Sequence, residues 1–297
     1  MQAFGPQTQV GFIGLGVMGA GMARCLRRKG YAVHVFARRD DAAQPLVDAG
    51  AVRAASPADV ARACPLVFLC VSDDAAVEQV LFGADGVARG LAKGGVVIDT
   101  STISATSARA FAQRLAQHGV TFLDAPISGG QQGAEAGTLA VMVGGPTDTV
   151  EACREVMQAF GKTITHVGEV GAGQTVKACN QVAVAGAMLG VADAIALAKS
   201  QGVDPKVMRD VVLGGSGKSF ALERHGQRII DGDFQPGFRA RLMRKDLRIA
   251  LETARNGGAD LQGAKLVEQL VGELCDRGQG EMDWNLLGLL VQEKRAG

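Results

Sequence analysis

The chain predicts an α/β domain, a doubly wound parallel sheet of the Rossmann type, followed by an all-α domain and joined to it by one long helix. Three observations carry that expectation. Apolar strand-like runs alternate with amphipathic helical segments through the first half. The first run, Val10–Ile13, opens directly into Gly14-Leu15-Gly16-Val17-Met18-Gly19. Beyond about residue 165 the strand signal vanishes and Ala-, Leu- and Val-rich helical segments take over. With 297 residues, 47% hydrophobic and 21% charged, such a chain buries about three quarters of its unfolded surface and is near the size at which one core splits into two. The division is expected at residues 1–168 and 169–297.

The elements follow in order. Strands are expected at Val10–Ile13, Ala32–Phe36, Leu66–Val71, Gly95–Asp99, Thr121–Ala125 and Leu139–Gly144, all in one parallel sheet. A helix bearing Met22, Ala23 and Leu26 links the first two and ends at Gly30, a C-cap glycine. The long helix is expected from Thr175 to Ser200, about 39 Å at about 1.5 Å per residue, and apolar nearly all round. Such a helix is expected to be buried between domains or subunits. Breaks in the helical half fall at Gly202-Val203-Asp204-Pro205, Gly214-Gly215-Ser216-Gly217, Asp231-Gly232-Asp233 and Gly257-Gly258. Gly217-Lys218-Ser219 has the ending of a phosphate-binding P-loop, but its earlier glycine position is Val212 and it joins helices, so it reads as an interhelical turn.

The strand, G-x-G-x-x-G turn and helix together are the geometry that seats a dinucleotide pyrophosphate. Gly14 permits the tight turn, Gly16 lets backbone approach phosphate, and Gly19 lets helix pack on sheet. Unpaired N–H groups of the helix start, over Leu15, Val17 and Met18, then meet the anion. At the tip of the second strand, where an NAD site places a carboxylate for the ribose, the chain has Ala37-Arg38-Arg39. Two guanidinium groups suit a 2′-phosphate, which favours NADP. NAD is the alternative, with Asp40 or Asp41 reaching back to the ribose.

Composition excludes several classes. A net charge of +1 and 4% aromatic residues leave no footprint for nucleic acid. Six cysteines without a C-x-x-C pair read as buried thiols of a reducing cytosol, and four histidines without metal-ligand spacing predict no metal site. No secretory leader pattern is visible, and the apolar stretch Val182–Ala192 is cut by Asp193, so no membrane association is expected.

Two segments carry further chemistry. In Asp124-Ala125-Pro126-Ile127-Ser128-Gly129-Gly130, the N–H groups of Gly129 and Gly130 and the Ser128 hydroxyl make a cradle suited to a substrate carboxylate. A Pro-Gly turn alone would explain the glycines but gives Ser128 no task. Lys177, after Gly171-Ala172-Gly173-Gln174, sits on an apolar helix where burial lowers a lysine pKa toward the regime of proton transfer. Snorkelling at the helix end is the alternative. Asn180 and Gln181 lie three and four residues on, along the same face.

The glycine turn, the Asp124–Gly130 segment, Gly171-Ala172-Gly173 with Lys177 and Asn180, and Lys245-Asp246-Leu247 together resemble the β-hydroxyacid dehydrogenase family, in order and over the whole chain. The resemblance implies a two-domain NAD(P)-dependent enzyme that interconverts a small 3-hydroxy acid and its semialdehyde, while the apolar character of the helical half predicts self-association as a homodimer or homotetramer. By position it makes Lys177 the catalytic lysine and Ser128, Gly129 and Gly130 the carboxylate-binding segment. It makes Thr102 a nicotinamide contact, Lys245 a lysine facing cofactor and substrate, and Val71, Ser72 and Val77 lining of the adenosine half. Many members carry two asparagines after the lysine, where this chain has Asn180 and Gln181, so either amide is a candidate for the substrate. One branch often carries Asp where this chain has Ala37. Imine reductases of related architecture usually lack the lysine, and a non-catalytic NADP-binding scaffold would leave Ser128, Lys177 and Lys245 without work.

Overall fold

The computed structural model describes residues 3–293. The chain divides between Lys177 and Ala178 into two compact units.

The first unit begins with β1 (Gln9–Ile13), α1 (Val17–Arg28), β2 (Ala32–Phe36), α2 (Asp40–Asp48) and a two-residue β3 (Val52–Arg53). There follow α3 (Pro57–Ala63), β4 (Leu66–Leu69), α4 (Asp74–Phe82), β5 (Val96–Asp99), α5 (Ala105–Ala116) and β6 (Thr121–Asp124). The sheet is completed by β7 (Ile127–Ser128), α6 (Gly130–Ala136), β8 (Leu139–Gly144), α7 (Thr147–Met157) and β9 (Gly161–Gly168). Strand order is β3-β2-β1-β4-β5-β6-β8-β7, with β9 on the other side of β8. The order reverses between β1 and β4, the switch point at which such sheets bind ligands beyond their carboxyl ends.

The central strands are apolar throughout because both faces of the sheet are covered. Alternate residues point to opposite sides. Phe12 and Phe68 stack at 5.9 Å between ring centroids, with Phe160 edge-on to Phe68 at 5.4 Å, in a core that also holds Tyr31. Ile13, Val67, Val77 and Val97 pack into the core on the opposite face. The expectation of an all-parallel sheet needs correction: β8 runs antiparallel to both β6 and β7. Residues 129–138, between β7 and β8, are fewer than the roughly a dozen that a parallel crossover needs.

Helix α8 (Ala172–Ser200) starts one turn earlier than the apolar pattern suggested and continues through Asp193. Asp193 interrupts the apolar run without ending the helix. An 18-residue window of α8 has a mean hydropathy of 1.7 with 44% of it buried, so by length and composition alone it could cross a bilayer. Its Met188, Ala192 and Ile195 belong instead to the core of the second unit.

That unit continues with α9 (Pro205–Leu213), a π-helical turn at Ala221–Gly226, α10 (Gln227–Asp231), α11 (Ala240–Asn256), α12 (Gln262–Leu274) and α13 (Leu287–Glu293). Asp204 caps α9 ahead of Pro205, and Gly232, with φ of 69°, terminates α10. The core joins α8 residues to Met243 and Leu247 of α11, Val267 and Val271 of α12, and Trp284. Trp284, 1% exposed, meets the His225 ring edge-on at 5.3 Å. Desolvation holds His225 below its usual pKa of 6.5, with Asp283 opposing and Arg228 and Arg224 reinforcing that shift. Asp283 is fully buried, and its Oδ2 accepts from the N–H groups of Gly237 and Phe238 (both 2.8 Å) and from Arg228 Nη1 at 3.0 Å.

The cysteines are not uniformly buried thiols. Burial pushes Cys64 and Cys153 up to about 12, but Cys70 and Cys275 are half-buried and Cys179 is exposed.

Candidate active site

The loops that leave the carboxyl ends of β1, β2, β4, β5 and β6 carry most of the residues singled out in the first half of the sequence. The turn after β1 depends on glycine for steric reasons. Gly14 has φ of 96°, and a Cβ there would collide with the Cys70 carbonyl. A Cβ on Gly19 would strike the Gly14 carbonyl and come within 3.1 Å of the Phe12 ring. Gly16 differs: its absent Cβ faces open space, and it caps α1 with no side-chain hydrogen bond and no acid in the first turn. No side chain at position 16 obstructs the approach to the N–H groups that begin α1, which fits a dinucleotide pyrophosphate. Leu15 is buried, Met18 packs on the core and Val17 is exposed.

Beyond β2, Arg38 and Arg39 are both exposed. Asp41 pairs with Arg39 at 3.4 Å and Asp40 pairs with Arg53, so both carboxylates beside the arginines are engaged in surface ion pairs.

After β4, the Val71 N–H donates to Ser101 Oγ at 2.9 Å and Ser72 Oγ donates to Asp73 Oδ2 at 2.8 Å. Asp73 in turn caps α4. Val77 is fully buried among Ile13, Leu69 and Val97, so its side chain lies beneath the loop rather than on its surface, and Val71 packs on the same cluster. After β5, Thr102 sits half-buried between Ser101 and Ile103.

The segment after β6 turns sharply. Ser128 pairs with β8, and Gly129 and Gly130 have φ of 134° and 64°, a conformation that exposes successive N–H groups. A Cβ on Gly130 would meet nothing within 4 Å. Lys177 is 8% exposed, and its Nζ donates to the Ile127 carbonyl at 2.9 Å.

Two residues without an assigned role in the sequence reading complete this framework. Asp124 accepts the Gly171 N–H (2.7 Å) and the Gln174 N–H (2.9 Å), and burial raises its pKa against the lowering effect of those bonds and of Arg109. Gln174, 2% exposed, donates from Nε2 to the Ser101 carbonyl (2.8 Å) and accepts the Ile103 N–H at Oε1 (3.1 Å). The only sequence signal for either is a polar residue set among apolar and glycine neighbours.

In the second unit, Asn180 Nδ2 donates to Gln181 Oε1 at 2.8 Å, and Gln181 Nε2 donates to Asp246 Oδ2 at 2.7 Å. Asp246 Oδ1 lies 3.2 Å from Lys245 Nζ. Asp246, 3% exposed, is thus a buried carboxylate behind both amides, a role that Lys245-Asp246-Leu247 did not reveal as a sequence motif.

Comparison with known proteins gives the family. Residues 9–168 match the NAD binding domain of 6-phosphogluconate dehydrogenase, and residues 171–289 match the family described as NAD-binding of NADP-dependent 3-hydroxyisobutyrate dehydrogenase. The chain belongs to the β-hydroxyacid dehydrogenase family. It is an NAD(P)-dependent hydroxyacid dehydrogenase. It is 38% identical over 279 residues to the 2-hydroxy-3-oxopropionate reductase of Escherichia coli (strain K12), covering 94% of this chain and 95% of that one. An NAD-dependent L-serine dehydrogenase of Pseudomonas aeruginosa is 37% identical over 286 residues, with 94% and 96% covered. A crystal structure of 3-hydroxyisobutyrate dehydrogenase from Salmonella typhimurium superposes with a TM-score of 0.88 at 31% identity, over 96% of this chain and 100% of that one.

Proposed function

We propose that this dehydrogenase is a reductase of a small, carboxylate-bearing semialdehyde, of the 2-hydroxy-3-oxopropionate (tartronate semialdehyde) type, and that it prefers NADPH. The observation that carries this reading is the buried Lys177 ammonium, which donates to the carbonyl of Ile127, the residue before Ser128. A proton donor and an anion cradle are thereby parts of one hydrogen-bonded piece. In this reading the Ser128 hydroxyl and the N–H groups of Gly129 and Gly130 hold the substrate carboxylate. Lys177 gives a proton to the carbonyl oxygen, which becomes the product hydroxyl, and takes it back in the oxidative direction. When bound, a nicotinamide dinucleotide supplies the hydride.

Gly14 to Gly19 would seat the pyrophosphate, Val71 and Ser72 would border the adenosine half with Val77 beneath them, and Thr102 and Lys245 would face the nicotinamide side. Arg38, and Arg39 on leaving its ion pair with Asp41, would take the 2′-phosphate, a reading supported by Ala37 and by the pairing of Asp40 with Arg53. Asn180 or Gln181, joined to each other and to Asp246 by hydrogen bonds, would supply the substrate-side amide. The exposed apolar residues of the helical unit, Leu197, Val203, Val207, Val211 and Phe220, support a homo-oligomer. With a net charge of +1 and α8 side chains packed in a protein core, we read the enzyme as a cytoplasmic protein without nucleic acid or membrane partners.

The test is a panel of tartronate, methylmalonate and succinate semialdehydes and glyoxylate, each assayed with NADPH and NADH. Tartronate semialdehyde with NADPH should give the highest kcat/KM. Lys177→Ala should lower kcat by about 100-fold or more and leave NADPH affinity unchanged. Undiminished turnover in that variant would sink the assignment.

A further inference from the structure

We propose that Gln174 is a positioning residue for Lys177: it fixes the lysine-bearing turn of α8 to the loop that carries Thr102. The inference rests on the reading of Lys177 as the proton donor.

Gln174 lies one helical turn before Lys177, with its side chain almost wholly buried. Its amide uses both ends on the backbone of one loop, donating to the Ser101 carbonyl at 2.8 Å and accepting the Ile103 N–H at 3.1 Å. Those two residues flank Thr102. The Gln174 backbone N–H is held separately by Asp124 Oδ2 at 2.9 Å, while Asp124 Oδ1 takes the Gly171 N–H at 2.7 Å. Three residues beyond Asp124, the Ile127 carbonyl accepts from Lys177 Nζ at 2.9 Å.

The bonds close a ring from Asp124 to the start of α8, along α8 to Lys177, across to Ile127 and back along the chain. Gln174 adds a side-chain arm from α8 to the loop after β5. The start of α8 is already capped by Asp124, so the arm is not needed to satisfy the helix end. What it adds is register: with it, the anion segment after β6, the loop after β5 and the ammonium of Lys177 cannot shift independently. Proton transfer concerted with hydride arrival demands such a frame, since reacting groups must be held within about 0.5 Å.

The test is Gln174→Met, which keeps volume and loses both hydrogen bonds, in wild-type and Lys177→Ala backgrounds, with tartronate semialdehyde and NADPH well below the melting temperature. In the wild-type background kcat should fall by about ten- to a hundredfold, while KM and the NADPH Kd stay within about threefold. In the Lys177→Ala background the same change should cost no more than about twofold, because the residue it positions is gone. Gln174→Glu is the second variant: ionised, its second oxygen opposes the Ser101 carbonyl, and protonated it can donate there again. Its kcat relative to wild type should therefore recover as pH falls, and this carries the test if the methionine variant does not fold. Unchanged kcat in a folded Gln174 variant, or an equal loss in both backgrounds, would overturn the proposal while the reading of Lys177 stands. Full turnover in Lys177→Ala alone would overturn both.

Discussion

Gly14 and Gly16 lie two residues apart in one turn, yet their glycines answer different needs. Gly14 is required by the fold, because a side chain there is strained at φ of 96° and runs into the Cys70 carbonyl. Gly16 has an ordinary backbone conformation, φ of −70°, and open space where its Cβ would stand. Gly14→Ala is therefore expected to lower the melting temperature sharply, whereas Gly16→Ala should shift stability by about 1 kcal/mol or less. NADPH titration should nevertheless show Gly16→Ala to bind weakly, since the methyl occupies the approach to the first N–H groups of α1. Equal losses of stability in the two variants would contradict this division. Arg38 has a comparable single-residue test. Arg38→Ala should weaken NADPH binding by about one to two decades and leave NADH binding almost unchanged, the difference being charge-assisted hydrogen bonds to the 2′-phosphate.

Among the elements, the six strands that form apolar runs were legible in the sequence because a sheet covered on both faces leaves an uninterrupted hydrophobic signature. The strands not anticipated lack it. β9 carries Lys162, Thr163, Thr165 and His166, with most of its residues exposed or half-buried. β3 and β7 are two residues each, too short for any periodicity. The candidate site was legible to the same degree: glycines, Ser128 and Lys177 announce themselves locally, but Asp124, Gln174 and Asp246 act through partners 47 to 73 residues away. No spacing rule encodes such pairings. Asp283 belongs to this class. Its carboxylate fixes the segment Gly237–Phe238 and Arg228, and Asp283→Ala would leave several backbone donors unpaired and Arg228 with Asp233 as its remaining carboxylate partner, at 2.8 Å. A loss of about 1–3 kcal/mol in denaturant unfolding is expected, and a loss within experimental error would show that the network is not structural.

At the scale of the whole molecule, the helical unit presents an exposed apolar surface. No residue of α9 is buried, and Val203, Val207 and Val211 recur every four residues with 46%, 56% and 71% exposure. If copies of the chain meet there, Val207→Lys with Val211→Glu should reduce the mass measured by light scattering without lowering helix content. An unchanged mass would place the interface elsewhere or show that the enzyme is monomeric.

The chain contains one tryptophan and one tyrosine, and they fall on opposite sides of the division between units. Tyr31, 3% exposed, belongs to the core of the first unit, and Trp284, 1% exposed, to that of the second. Each half of the enzyme thus carries its own optical reporter. Indole emission excited at the red edge of its band follows the helical unit alone, and phenol absorbance can be tracked for the sheet. Whether the two halves melt together or in succession can be read from the unlabelled protein, without a single engineered probe.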